Sequence, residues 1–482
     1  MKKSLGKNAV LNGFRNVLNL LFPLITFPYV SRVLSVEGIG QYNFAQATIS
    51  YFSLIAGLGI SSYAIREGAK YRNDKEKFSI FASEILLCNI ISTIVAYMAL
   101  VVCIEISEKI RSYTILMVIF SVQIIFVTIG IEWMYSIYEE YEYITIRGII
   151  FKIISIVLIF IFVRNENDVN AYAAITVFST VGSNILNLMH SKKYFKLKKI
   201  KLKDCYRHIK PIMIIFASNI AIMIYVYSDV TMLGFLQSNY EVGIYSVSVK
   251  IYNIVKNLLS SVLIVSIPRL SMYYGNDMIE EFKKTIQMVY DSISALILPA
   301  VIGLFFVSKQ VVLVIADKSY IQAQYSLKIL CIALFFCIYG WVFSQCVLMP
   351  IKKENIILVA TCISAVVNIG LNFLLIPLWK ENAAALTTLI AELIMFIICG
   401  YFGIKNVKFK LLNRNIISVM IGGIGIAVVC SVVLKVCRVS ALIQLFISMV
   451  LSACVYLSIL IIFKNTVIKI ILDKVLWRKR KI

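Results

Sequence analysis

Charge is what this chain lacks most: only 15% of its 482 residues are Asp, Glu, Lys or Arg, whereas 60% are hydrophobic. Soluble domains carry about a quarter of their residues charged. The mean hydropathy of +0.87 therefore excludes an ordinary soluble fold and predicts a polytopic membrane protein. Acidic residues are the scarcer sign, 25 against 48 basic ones, for a net charge of +23. A nucleic-acid binder would gather its cations on one soluble face. Here they sit in short loops between apolar runs, so no nucleic-acid partner is expected. There are only two histidines, His190 and His208. Both read as part of a basic loop, which excludes a buried histidine proton relay. The eleven cysteines are odd in number, form no Cys-x-x-Cys pair and lie mostly in apolar runs. They read as small hydrophobes, neither disulfides nor metal ligands. The chain has no Gly-x-x-x-x-Gly-Lys-Ser/Thr loop, no His-Glu-x-x-His and no nucleophile elbow. Its outer loops are too short for a catalytic domain. No catalytic residue, metal or cofactor is expected, apart from a coupling ion, H+ or Na+. These absences point to a carrier.

What the chain does have is apolar runs of bilayer length. At about 20 residues per crossing, the sequence predicts an all-α fold with about 14 transmembrane helices, the eleventh and twelfth at 355–376 and 382–403. Lys2, Lys3 and Lys7 imitate the start of a signal peptide, but Asn12, Arg15, Asn16 and Asn19 interrupt the following run and no cleavage pattern follows. The run is read as an uncleaved first span. With the N-terminus inside, 35 of the 48 lysines and arginines fall in or beside inner segments and 10 in or beside outer ones. The positive-inside rule then puts both termini in the cytoplasm. The most basic segment, 191–210, reads as an inner-leaflet anchor on anionic lipid and as the joint between two lobes. The expected organisation is an N-lobe over 1–190, this linker over 191–210, a C-lobe over 211–404, and two further helices with a basic cytoplasmic tail over 405–482. Pro211, Pro268, Pro350 and Pro377 are expected at span ends. Pro23, Pro28 and Pro299 are expected to kink the first and ninth helices.

Inside the eighth span, Ser246, Lys250, Asn253, Asn257 and Ser260 recur at helical spacing, with Lys256 at the edge of the stripe. Ionised groups at membrane depth cost at least about 2.5–3.5 kcal/mol each, so they face a wet cavity or a partner. A stripe of this kind suggests a cavity for something anionic. A shift of 203 residues places Asn16 on Asn219, Gly40 on Gly243, Tyr42 on Tyr245 and Arg66 on Arg269. It also places the second span's stripe, Asn43, Gln46, Ser50, Ser53 and Gly57, in phase with the Lys250 stripe. Two six-helix lobes entering from the same side would be related by a pseudo-twofold along the membrane normal, with the substrate path between them. Thirteen ionisable residues lie in or at the edge of spans: Arg15, Arg32, Arg66, Glu84, Glu132, Arg147, Lys152, Asp229, Lys250, Lys256, Arg269, Asp291 and Glu392. Edge residues can snorkel to headgroups; deeper cations could bind a phosphate-bearing substrate. The candidate substrate contacts are Arg32, Arg66, Lys250, Lys256, Arg269, Asn253 and Asn257. Glu84, Glu132, Asp229 and Glu392 are the candidates for ion coupling or ion pairing.

Five segments in order resemble the bacterial polysaccharide repeat-unit flippases (Wzx-type, the O-antigen flippase family). This family lies within the superfamily that also holds multidrug extruders and the lipid II flippase. The segments are YVSRVLSVEGIGQY from Tyr29, GLGISSYAIREGAKYRND with Arg66 and Glu67, and EWMYSIYEEYEYITIRGIIFKI from Glu132. They continue with SDVTMLGFLQSNYEVGIYSVSVKI, carrying Asp229 and Lys250, and NIGLNFLLIPLWKENAAALTTLIAE, carrying Asn368, Asn372 and Glu392. The chain departs from the family pattern at Ser35, at Glu132 and at the pair Ser136 and Ile137. The resemblance implies a transporter in the bacterial inner membrane. It would move undecaprenyl-diphosphate-linked oligosaccharide, O-antigen or capsule units, from the cytoplasmic to the periplasmic leaflet by alternating access through a cationic central cavity. A polysaccharide polymerase and its chain-length machinery are candidate partners. Three rivals stay open: a cation-coupled multidrug extruder of the same fold, a lipid II flippase, and a membrane-embedded surface-glycan polymerase or ligase. A cationic stripe disfavours the first, and the absence of a large periplasmic loop disfavours the last.

Overall fold

The computed structural model describes residues 22–469, so Lys2, Lys3, Lys7, Asn12, Arg15, Asn16, Asn19 and both termini lie outside the described residues. Every regular element of the described residues is a helix, and among them there is no strand. Eleven of their helices are long and apolar enough to cross a membrane. The chain divides by internal packing into two compact units, Met1–Gly243 and Ile244–Ile482.

The first unit begins with α1 (described part 22–33), α2 (Val36–Gly57), α3 (Ile60–Gly68) and α4 (Lys75–Ile106). Short α5 (Glu108–Arg111) leads into α6 (Thr114–Ile129), α7 (Glu132–Ile137) and α8 (Tyr141–Phe162). The unit continues with α9 (Val169–Val181), α10 (Asn184–Ser191) and α11 (Tyr206–Leu236). Local chemistry sets the helix ends. Ser35 Oγ accepts from Gly38 N at 3.1 Å to start α2. Asp74 Oδ1 accepts from the backbone N–H of Glu76 and Lys77 at 3.1 and 3.0 Å to start α4. Gly59, at φ 74°, turns the chain from α2 into α3 where a Cβ would lie 2.6 Å from Ile215 of α11, so only glycine fits. The basic segment runs along α4: Phe195 is buried in an aromatic core with Phe78, Phe81 and Trp133. Beyond it, the backbone N–H groups of Lys196 and Lys198 donate to Ser79 Oγ and Ser83 Oγ at 3.2 and 3.0 Å.

Helix α12 (Asn239–Gly275) passes from the first unit into the second. Gly40 and Gly243 are each the fifth residue of their helices, α2 and α12. A Cβ on Gly40 would fall 1.8 Å from the carbonyl oxygen of Asn239, the first residue of α12. A Cβ on Gly243 would fall 2.2 Å from that of Val36, the first residue of α2. The two residues that the 203-residue shift superposes thus play reciprocal parts in one close helix crossing. Pro268 does not end its helix, because α12 has 37 residues. At 1.5 Å per residue it is about 55 Å long and outruns a hydrocarbon core of about 30 Å.

In the second unit α13 (Ile279–Phe306), α14 (Ser308–Ile315) and α15 (Ala323–Trp341) follow. The last of these continues as a π-helical stretch, Val342–Leu348. α16 (Glu354–Asn406) is broken at Lys380, φ 53° and ψ −130°, three residues after Pro377. The break falls in the gap expected between the eleventh and twelfth spans. α17 (Arg414–Val436) and α18 (Ala441–Ile462) complete the unit and pack on each other.

Candidate functional site

Each unit carries its own set of buried charges. In the second unit, Tyr245, Tyr252 and Lys256 lie seven and four residues apart, so they form one stripe on α12. Thr388 and Glu392, four apart, form the facing stripe on α16. The stripes meet: Tyr245 Oη is 3.3 Å from Thr388 Oγ1, and Tyr252 Oη donates to Glu392 Oε1 at 3.2 Å. Lys256 Nζ lies 3.6 Å from the same carboxylate oxygen and 5.4 Å from the Tyr252 ring centroid. Glu392 is buried and the Lys256 side chain is 21% exposed, so this is a largely desolvated pair. Ser248, which donates to the Ala323 carbonyl at 2.8 Å, pins the same helix to α15.

Lys250 is six residues from Lys256 and therefore points about 120° away from it around α12. It is half-buried, Ser246 and Ser260 are buried, and Asn253 and Asn257 are exposed. The polar stripe is thus separate from the seam to α16 and opens at its two amides. Arg269, further along α12, is exposed, with Nε 2.8 Å from Tyr273 Oη. Its guanidinium also lies over that ring.

The first unit holds Glu84 buried on α4, where it accepts from Arg207 and pairs with His208 Nε2 at 2.8 Å. His208 Nδ1 is 2.7 Å from Tyr63 Oη. This corrects the reading of both histidines as loop residues: His208 is buried in the first turn of α11 with both ring nitrogens engaged, and His190 lies in the last turn of α10, stacked on the Tyr143 ring. The missed signal is the spacing of Cys205, His208 and Ile212, three and four apart and all buried, which starts the helix before Pro211. Glu132 opens α7 and pairs through Oε1 with Arg147 Nη2 at 2.9 Å, where Arg147 is buried. Asp229 is buried on α11. Arg66 lies at the exposed end of α3 beside Glu67, at 3.3 Å, and over the Tyr63 ring. Arg32 is exposed and donates to the Pro28 carbonyl. The stripe of Asn43, Gln46, Ser50, Ser53 and Gly57 is the half-buried face of α2, whose remaining faces are largely buried.

The structure therefore ties Glu84, Glu132 and Glu392 into ion pairs and leaves Arg32, Arg66, Arg269, Asn253 and Asn257 exposed. Asp291 is buried as an acceptor for the side-chain amides of Gln287, Asn413 and Asn415, at 2.9, 2.9 and 2.7 Å, and anchors the start of α17. Across the break in α16, Thr387 donates to Asn372 at 2.6 Å, and Asn372 to Asn368 at 3.2 Å. Among the described residues no cluster of three or more His, Cys, Asp or Glu could hold a metal, and the eleven cysteines are free thiols.

The profile of the polysaccharide biosynthesis protein family matches residues 5–274. A putative O-antigen transporter of Shigella dysenteriae is 24% identical over 405 residues, covering 83% of this chain and 100% of that protein. The capsular polysaccharide biosynthesis protein CapF of Staphylococcus aureus is 26% identical over 398 residues, covering 80% of this chain and 96% of its own length. Among solved structures, the lipid II flippase MurJ in an inward closed conformation superposes with a TM-score of 0.77 at 16% identity, over 96% of this chain and 99% of that one. At that identity the likeness establishes the fold.

Proposed function

The chain belongs to the polysaccharide biosynthesis protein family, and from that membership we propose that it is a flippase for undecaprenyl-diphosphate-linked oligosaccharide repeat units of O-antigen or capsule. It is a multi-pass membrane transporter. The substrate is taken up from the cytoplasmic leaflet of the bacterial inner membrane and released in the periplasmic leaflet by alternating access. Both termini are cytoplasmic, as the distribution of lysine and arginine supports. A polysaccharide polymerase with its chain-length machinery is the partner that would consume the released unit.

The observation that carries this reading is the division of labour on α12. Half-buried Lys250 lies on the stripe that opens at exposed Asn253 and Asn257, about 120° around the helix from Lys256, which meets Glu392 in the seam. A diphosphate offers oxygens to an ammonium, to amide N–H groups and to guanidinium forks. Lys250, Asn253, Asn257 and Arg269 of α12 are the groups assigned to it, and exposed Arg32 and Arg66 of the first unit are proposed as further substrate cations. Glu84, Glu132 and Glu392 hold structural cations in ion pairs and, with Asp229, are the positions where H+ or Na+ would couple. The test is export of surface polysaccharide in cells carrying Lys250→Ala, Arg66→Ala or Arg269→Ala at normal membrane abundance. Strong impairment is expected, and unimpaired export in all three would sink the cation assignment.

A further inference from the structure

We propose that the first unit carries a dedicated site for an anionic glycerophospholipid of the inner leaflet, formed by α2, α4 and the start of α11. This rests on the cytoplasmic placement of segment 191–210 in the reading above. A cavity of about 340 Å³ opens among these helices, walled by Ile55 of α2, Ile91 and Val95 of α4, and Tyr206, Ile209 and Met213 of α11. Its lining is almost entirely carbon. The one serine there, Ser92, is turned away to the Ala56 carbonyl at 2.6 Å. Nothing deep in the cavity can hold a polar head, so an occupant must be apolar where it enters and polar only at the rim.

The rim supplies the other half of the site. Segment 191–210 holds nine lysines and arginines against one acidic residue, Asp204. The Asp204 carboxylate is already engaged by the backbone N–H of Lys201 at 3.0 Å. Lys203 and Lys210 are exposed. Lys210 follows Tyr206 by one helical turn and so flanks the edge of the lined face. Tyr206 itself is 65% exposed, an amphipathic ring at the boundary between the apolar wall and the basic rim, as at membrane interfaces. The rim is also held in place. The segment is laced to α4 through Ser79 and Ser83, and Arg207 is tied to Glu84.

Two further features mark this seam. Of the eleven candidate spans, α11 buries the smallest share of its apolar window, 6%. The cavity also lies on the side of α2 where Gly59 admits α11 at close range. An acyl chain would fill the apolar hollow and cover α11. A phosphate bearing a net negative charge would meet Lys203 and Lys210, whereas a zwitterionic head would gain less from the same cations. The lipid would thus act as a wedge seated between α4 and α11 that stabilises this end of the unit.

The test is native mass spectrometry of the full chain in detergent with equimolar phosphatidylglycerol and phosphatidylcholine. The wild type is expected to retain phosphatidylglycerol preferentially. K203E/K210E should reduce that preference by about tenfold or more, and Ile209→Trp, which fills the hollow, should reduce retention of both lipids. If the charge-reversed chain is not recovered folded, K203Q/K210Q asks the same question. Equal retention of the two lipids by the wild type, an unchanged preference in the charge variants, or displacement of phosphatidylglycerol by equimolar undecaprenyl diphosphate would overturn the site. Lipid retention is read without transport, so its failure leaves the flippase reading standing. A chain that keeps the lipid preference but moves no glycan strikes only that reading.

Discussion

Lys256 and Glu392, 136 residues apart in sequence, meet at 3.6 Å in the seam between α12 and α16, with Tyr252 donating to the same carboxylate oxygen at 3.2 Å. A buried pair of this kind gives little net stability over an apolar replacement, but breaking it strands a charge. Lys256→Met or Glu392→Gln alone should destabilise the protein by about 3–5 kcal/mol. The double variant K256M/E392Q should recover most of that loss. Thermal unfolding of the four proteins in detergent provides the cycle. Additive losses would mean that the two side chains are not coupled.

A second network ties α3, α4 and α11 through Tyr63, Glu84, Arg207 and His208. Glu84→Ala leaves the buried His208 without its acceptor and should cost about 1–3 kcal/mol, whereas Glu84→Gln, which keeps a carbonyl oxygen in place, should cost less. Tyr63→Phe should cost about 1 kcal/mol. Equal unfolding temperatures for wild type and E84A would show that the network contributes nothing to holding α11.

The reciprocal crossing of α2 and α12 makes Gly40 and Gly243 sensitive to a single methyl group. Gly40→Ala and Gly243→Ala should each cost about 1–3 kcal/mol through overpacking against a backbone carbonyl. A Cβ on Gly148 of α8 would meet nothing within 4 Å. Gly148→Ala should therefore be neutral or stabilising by up to about 1 kcal/mol, from helix propensity. Membrane abundance and unfolding temperature separate these outcomes, and equal behaviour of all three would contradict the close crossing.

Asp74 caps α4 with its carboxylate, and the Lys77 and Glu76 backbone N–H groups, with the Lys77 ammonium, hold it below the ordinary aspartate value of 3.8. A carboxyl lowered in the folded state stabilises it above the unfolded value, and that contribution is lost as pH falls through the folded value. Protection of the Glu76 and Lys77 amides from hydrogen exchange should therefore fall on acidification below about pH 4 in the wild type. In Asp74→Asn the pH dependence should vanish. A variant that titrates like the wild type would remove the cap from the explanation.

The sequence carried the helices because long apolar runs separated by basic loops have few other solutions, and the gap around Pro377–Lys380 was visible for the same reason. Lys250 stood out as a charge at membrane depth. The partner of Lys256 did not, because Glu392 lies on a helix distant in sequence and no local spacing links them. Tyr252 and Thr388 were hidden as ordinary members of apolar stripes. His208 reads as a loop residue for a physical reason: surrounding lysines give the segment the composition of a loop, while the buried face of Cys205, His208 and Ile212 has already begun the helix. The crossing of Gly40 with α12 follows from backbone proximity, which glycine content alone does not reveal, although the 203-residue shift pairs Gly40 with Gly243.

Under the proposed function, this chain moves a polyprenyl-diphosphate-linked glycan across the bilayer, with the cations of α12 and of α3 each contributing. The most direct measurement is the rate at which labelled undecaprenyl-diphosphate oligosaccharide, placed in one leaflet of proteoliposomes, becomes accessible to a membrane-impermeant probe of the other. The wild type is expected to exceed protein-free vesicles clearly, and the K250A/R66A/R269A variant to fall by about tenfold or more. A wild-type rate no faster than protein-free vesicles, or a triple variant as fast as the wild type, would contradict the account.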